Sequence, residues 1–257
     1  MPPFQLIRRF LNKRRKFPES WQKILNNSVP YYQFLHTSLK DELRKHMTVI
    51  LTEKHFEGCG GLEMTEEKKV IIAAYATVLI LGEPAGYYPS LQAILVYPDD
   101  YIAPVHEEDA SGIMTEGMEP RSGESWDMGS IVLSWSDIEQ DIHNPLNGKN
   151  LIFHEFSHQL DDRYGVTAGI DDDGNILTST EGNEILAEHF LQLRRAASRR
   201  KQTLLDPYGA TNPAEFFAVA TECFFENGHK LNRQHPKLYK SFKAFYNIDP
   251  VSYLPYV

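Results

Sequence analysis

Cysteine is scarce. The 257 residues include two, Cys59 and Cys223, far apart and in unlike contexts, which excludes a disulfide framework and a thiolate metal site. Basic residues are outnumbered, 26 Lys and Arg against 35 Asp and Glu, and a formal net charge of -9 argues against direct nucleic-acid binding. No apolar run is long enough to cross a bilayer; the most apolar, Val70 to Leu81, reads as a buried helix. Met1 to Phe17 is basic but has neither a long apolar core nor a small-residue cleavage site, so no secretory signal is evident. Internal repeats, low-complexity tracts and clear linkers are missing as well. These absences predict a soluble, cytoplasmic chain in a reducing setting with no membrane span.

A hydrophobic content of 42% with 12% aromatic residues belongs to a folded globule. Residues 1–16 form a basic arm, with Arg8, Arg9, Lys13, Arg14, Arg15 and Lys16 among apolar residues, and the arm is expected to be mobile. Residues 17–257 read as one domain. From Pro18 to Glu57 the apolar spacing is helical, and Gly58-Cys59-Gly60-Gly61 ends it. Thr65 then caps a helix from Glu66 to Leu81. Strand signals follow at Leu91 to Tyr97, Tyr101 to Val105 and Ser130 to Trp135. The last of these is either a cleft edge, where an extended peptide can pair, or a buried sheet strand. Gly112 to Gly129 reads as a turn-rich loop over a cleft, and it lacks the elbow that would make Ser125 a nucleophile. Helices are expected over Glu181 to Arg200, within Tyr208 to Glu226, and from about Pro236 to Tyr246.

Within Leu151 to Asp161 stands His154-Glu155-Phe156-Ser157-His158, an H-E-x-x-H motif inside an uninterrupted helical pattern. A helix turns about 100° per residue, so the two imidazoles share a face and can reach a single ion. Zinc suits imidazole nitrogen, tolerates an open position and lowers the pKa of bound water to roughly 7. Glu155, beside the first histidine, is placed to act as general base. The plainer alternative, a core helix with two chance histidines, would bury three polar groups among Phe153, Phe156 and Leu160 without partners.

A third ligand must come from elsewhere. Asp161 and Tyr164 exclude the extended three-histidine form of the motif, and His189, Glu184, Glu188, Glu215, Glu222 and Glu226 remain candidates. The helix from Pro213 to Glu226 is apolar enough to be core, yet carries Glu215 and Glu222 on one face. Glu215 would project from the helix's first turn, while Glu222 can accept a ligand histidine's other N–H; the plainer reading is that either lies on a solvated face. Thr211 or Asn212 caps this helix. Asp171 to Asn175 fails the calcium-loop pattern and reads as a polar turn.

The stretch His154 to Asp161, followed by Tyr208-Gly209-Ala210-Thr211-Asn212-Pro213-Ala214-Glu215-Phe216-Phe217-Ala218, resembles the Mlc titration factor A family of bacterial metallopeptidases. The same two stretches are similar to the catalytic domain of anthrax lethal factor. The resemblance runs from about Phe17 to near the C-terminus and takes in Ser122-Gly123-Glu124-Ser125-Trp126 and Val132-Leu133-Ser134-Trp135. It implies an α+β, mainly helical, zincin-like fold with a small mixed β-sheet beside the motif helix. It further implies one Zn2+ per chain, held by His154, His158 and Glu215, with Glu155 as base and the Tyr208 hydroxyl facing the metal. The implied activity is hydrolysis of short peptides or exposed chain ends, as an aminopeptidase or endopeptidase. The implied partner is a glucose-responsive transcriptional repressor, and a binding module that sequesters such a factor around a structural zinc is the competing reading. Some members carry a further histidine that touches zinc in a resting form; here Thr115 stands near that place and His106 lies further upstream, which leaves open whether such a clamp exists in this chain.

Overall fold

Apolar residues at helical spacing build the frame, and prolines divide it. The computed structural model describes residues 9–10, 12, 16–82, 86–99, 101–108, 114–121, 123–126 and 129–256, with side chains throughout these except 101–126. Pro30 cannot continue the preceding helix, so the N-terminal stretch splits into α1 (Glu19–Ser28), α2 (Pro30–Phe34) and α3 (Thr37–Glu53). The helix stops at Glu53, earlier than its spacing predicts: Lys54 is extended, and His55–Gly58 forms strand β1 with Phe56 turned inward. Thr65 accepts the Lys68 amide (3.3 Å) and starts α4 (Glu66–Val78), which is buried from Val70 onward. That helix also ends sooner than expected.

The sheet follows. Strands β2 (Ala93–Tyr97), β3 (Tyr101–Glu108), β4 (Met114–Arg121), β5 (Gly123–Trp126) and β6 (Ser130–Ser134) complete the β structure. The main sheet has the order β1-β2-β6-β5, parallel except for β5, while β3 and β4 form a separate antiparallel pair. One expectation changes here, and one open alternative is decided. The segment Gly112 to Gly129 contains two strands where a loop was expected, because pairing with β3 and β6 orders residues of weak intrinsic strand preference. Strand β6 is not an edge: it lies between β2 and β5 with Ile131, Val132 and Leu133 buried, and β5 takes the edge beside it. Trp135 does not extend β6, since the Ser134 hydroxyl accepts the Asp137 amide and opens α5 (Trp135–His143).

The rest is helical: α6 (Leu151–Tyr164), α7 (Glu181–Ser198), a 3₁₀ turn (Pro207–Ala210), α8 (Pro213–Glu226), α9 (Gly228–Gln234) and α10 (Pro236–Tyr246), with a last 3₁₀ turn at Pro250–Ser252. The result is a mainly helical α+β fold with a small mixed sheet, and α6 packs beside β5 and β6. Aromatic rings fix α6 from behind. Phe153 meets Tyr31 of α2, Tyr75 of α4 and Phe225 of α8 at centroid distances of 5.5, 5.5 and 5.2 Å, and Phe156 meets Tyr88 at 4.9 Å. Burying each such ring contributes about 1.5–3 kcal/mol.

At the N-terminus, Arg9 grips both carboxylate oxygens of Glu53 (2.8 and 2.7 Å) and lies over the Tyr87 ring, while Asn12 donates to Thr52. Arg8, Lys13, Arg14 and Arg15 of the basic arm fall outside the described residues. Among the described residues no helix is long and apolar enough to cross a membrane.

Candidate metal centre

Helix α6 begins on Asn150, whose side chain accepts the Phe153 amide (3.0 Å), and ends at Gly165 in the left-handed region (φ 62). One turn separates His154 from His158, and their ring centroids lie 5.1 Å apart. Helix α8 begins on Asn212, not Thr211: the Asn212 side chain accepts the Glu215 amide (2.9 Å), and Thr211 instead donates to the Tyr208 carbonyl (2.7 Å). Because α8 packs against α6, Glu215 Oε2 comes to 2.9 Å from His154 Nε2 and 3.8 Å from His158 Nε2. The three donor atoms lie within 4.8 Å of one another and form one cluster able to hold a metal ion. Tetrahedral bonds of about 2.0–2.1 Å set donors roughly 3.3 Å apart, so two nitrogens and one oxygen at these separations suit zinc.

Glu222, two turns after Glu215, supports the cluster from behind. Its Oε1 pairs with His154 Nδ1 (2.8 Å), and its Oε2 accepts the backbone amide of Asn150 (2.7 Å). One carboxylate therefore fixes both the ring and the start of the helix that carries it. A carboxylate on the far nitrogen orients an imidazole and raises its basicity. Glu155 is buried on the same helix, near enough for its charge to favour protonation of His154. Tyr208 is 56% exposed, with its ring 6.0 Å from that of His154.

Burial disfavours charge on His154, but the hydrogen bonds its ring donates to Glu215 and Glu222 outweigh it and lift the pKa well above the ordinary imidazole value. His158 goes the other way, to about 4, through burial and then the charge on His154. Burial would raise the Glu215 carboxyl, yet its bond to His154 brings the pKa below the usual value.

Sequence reasoning missed a ring of groups around the start of α6. Asp141 accepts the Leu151 amide (2.7 Å), and Glu226 accepts the Leu146 amide (2.5 Å) and the Asn150 side chain (3.4 Å). Burial pushes Asp141 up to about 6 and Glu226 up to about 8. Negative or polar acceptors here answer the helix dipole and its unpaired amides. Asn150 before an apolar run was a readable cap signal, and Asp206-Pro207 a readable turn signal. The remaining ligand candidates point elsewhere: His189 donates to the Ile185 carbonyl (2.8 Å), Glu184 accepts from Ser179 (2.7 Å), and Glu188 faces Lys237 (3.9 Å). Asp171 holds a polar turn, accepting from Asn175 through both backbone and side chain. The side chains of His106, Thr115 and Ser125 lie outside the described residues.

An uncharacterized protein of Synechocystis sp. is 37% identical over 239 residues, covering 93% of this chain and 87% of its own length. Mlc titration factor A of Yersinia pestis is 28% identical over 243 residues, covering 91% and 86%, and its Yersinia pseudotuberculosis counterpart matches equally. The profile of a family described as glucose-regulated metallo-peptidase M90 matches residues 5–247. With the match running through both helices that carry the candidate donors, the chain belongs to the M90 family of glucose-regulated metallo-peptidases.

Proposed function

We propose that this chain is a zinc peptidase holding one ion through His154, His158 and Glu215. The observation that carries the reading is the convergence of three donors from two helices, with Glu222 fixed behind the first of them. Zinc, when bound, supplies Lewis-acid polarisation of a carbonyl and makes water acidic enough to ionise near neutral pH. The chain supplies the rest. Glu155 takes the proton of the attacking water and returns it to the leaving amine. Tyr208 presents its hydroxyl to the oxygen that gains charge. Glu222, bonded to His154 Nδ1, would hold the ring in the tautomer that leaves Nε2 free as a donor. A proton competes for that nitrogen, so acidification weakens metal binding.

The substrates are short peptides or exposed chain ends, cut by aminopeptidase or endopeptidase action. The setting is cytoplasmic, consistent with two free cysteines. Peptide hydrolysis and zinc content, measured in wild type, Glu155→Gln and His158→Ala, test the reading. Glu155→Gln is expected to keep its zinc and lose on the order of 10²- to 10⁴-fold in rate, and His158→Ala to lose the metal. Full activity in the first variant would remove Glu155 from the mechanism, and unchanged zinc in the second would remove His158 from the ligand set.

A second reading concerns a partner. The similarity to Mlc titration factor A favours binding to a glucose-responsive transcriptional repressor, alongside catalysis or instead of it. Capture of the repressor by Glu155→Gln, with hydrolysis abolished, separates the two roles. A wild type that binds the repressor but cleaves no member of a peptide library would leave a binding module with a structural ion.

A further inference from the structure

Tyr208 is more than half exposed, so burial of its own ring does not set its position. The turn beneath it does. Gly209 sits so close to α7 and α8 that a Cβ there would stand 3.2 Å from both Leu193 and Val219. Asp206 closes the turn from the other side, its Oδ1 accepting the Tyr208 amide (2.9 Å) and its carbonyl the Gly209 amide (3.1 Å). The second oxygen of that carboxylate, Oδ2, meets the ammonium of Lys149 at 2.5 Å. Lys149 directly precedes Asn150, the cap of α6. A closed path therefore runs from His154 back to the start of its helix, across Lys149 and Asp206, and out to the Tyr208 amide.

We infer that Lys149 and Asp206 are positioning residues for this site: their ion pair fixes the turn that carries Tyr208 against the origin of the metal-binding helix, and so sets the reach of the Tyr208 hydroxyl. Exposed ion pairs generally contribute little, because two long side chains must be held still. This pair differs on one side. The Asp206 side chain is 29% exposed and already held by the turn it caps, so the ordering cost falls mainly on Lys149, which is 66% exposed. A contribution of this size does not decide whether the chain folds. It is enough to decide where an exposed hydroxyl points, and a misplacement of about 1 Å at a reacting centre costs on the order of 10²-fold.

The catalytic part of this inference rests on the peptidase reading, and the test keeps the two apart. In metal-free protein, Lys149→Met is expected to speed hydrogen exchange at the Tyr208 and Gly209 amides about two- to fivefold, leaving the amides of His158 and Phe217 unchanged. In zinc-loaded protein, Lys149→Met is expected to lower kcat on the order of tenfold with KM unchanged, and Lys149→Arg to restore it. In a Tyr208→Phe background the same substitution should cost nothing further. Unchanged exchange at Tyr208 in Lys149→Met overturns the inference, as does an equal loss of kcat with and without the Tyr208 hydroxyl. Should wild type hydrolyse no peptide, the peptidase reading fails and the exchange measurement still decides the structural half.

Discussion

Helices α6 and α8 set their donor atoms on a wall of packed rings, whereas Tyr208 comes from a short turn that is largely exposed. On the wall, side chains such as Phe153, Phe156 and Phe225 are completely buried, and the polar groups among them are joined carboxylate to amide. On the turn, position depends on two side-chain hydrogen bonds, one glycine seat and one ion pair. On the proposed function, the donors that must stay fixed sit where packing is dense, and the hydroxyl that would meet changing charge sits where small polar forces can adjust it.

Removing the wall should have the largest effect. Phe153→Ala is expected to cost about 3–5 kcal/mol in urea unfolding and to weaken zinc retention with it, while Tyr208→Phe should stay within about 0.5 kcal/mol of wild type in the same assay. Equal losses in the two variants would erase the contrast.

The buried carboxylates of the wall give a pH-dependent second effect. Burial raises Glu226 from 4.5 to about 8, so the folded state holds that proton more tightly than the unfolded chain does. Its favourable contribution is present in full below about pH 4.5 and is lost as pH rises toward 8. At about 1.36 kcal/mol per unit, the loss is a few kcal/mol at most. Glu226→Gln removes it: urea unfolding of chelator-treated protein should find the variant close to wild type at low pH and more stable well above pH 8. Parallel pH profiles would mean that Glu226 is ionised when buried.

Third in size is the carboxylate behind His154. Glu222 accepts two N–H groups, and a glutamine there can accept only one while presenting a donor to the other. Glu222→Gln should therefore lower zinc affinity about 10- to 100-fold in a competing-chelator titration, with little change in the exchange rates of the Tyr208 turn. Smallest is Thr211→Val, which removes the hydroxyl bond to the Tyr208 carbonyl. It is expected to cost about 0.5–1.5 kcal/mol of stability or less, read from the unfolding midpoint.

The motif helix was legible because helical periodicity places residues on faces; Glu215 and Glu222 shared one apolar face that demands a cation, and only the family resemblance chose between them. Thr65 and the polar turn at Asp171 were legible for a similar reason: each is a local rule satisfied by local partners. The Asp141–Leu151 bond and the Lys149–Asp206 ion pair were not legible, since packing brings the partners together and no period marks the pairing. The place of Ser130 to Trp135 in the sheet stayed open for a related reason. Ile131-Val132-Leu133 announces a strand, but only the arrival of β5 from Gly123–Trp126 decides that it lies inside the sheet. Residues His55–Gly58 continue a helical pattern for a few positions, and partnership with β2 outweighs it.

Both helices that carry the candidate donors start on an asparagine that caps the very turn holding the first of them: Asn150 lies four residues before His154, and Asn212 three before Glu215. Each cap acts as the datum from which its donor is measured. Residues added upstream, in the stretches leading to Asn150 or Asn212, would lengthen a connection and leave the donors where they are. A single residue inserted between cap and donor would swing the side chain by about 100° and shift it about 1.5 Å along the axis. Variation in loop length among relatives should therefore accumulate on one side of these two asparagines and stop abruptly at the other.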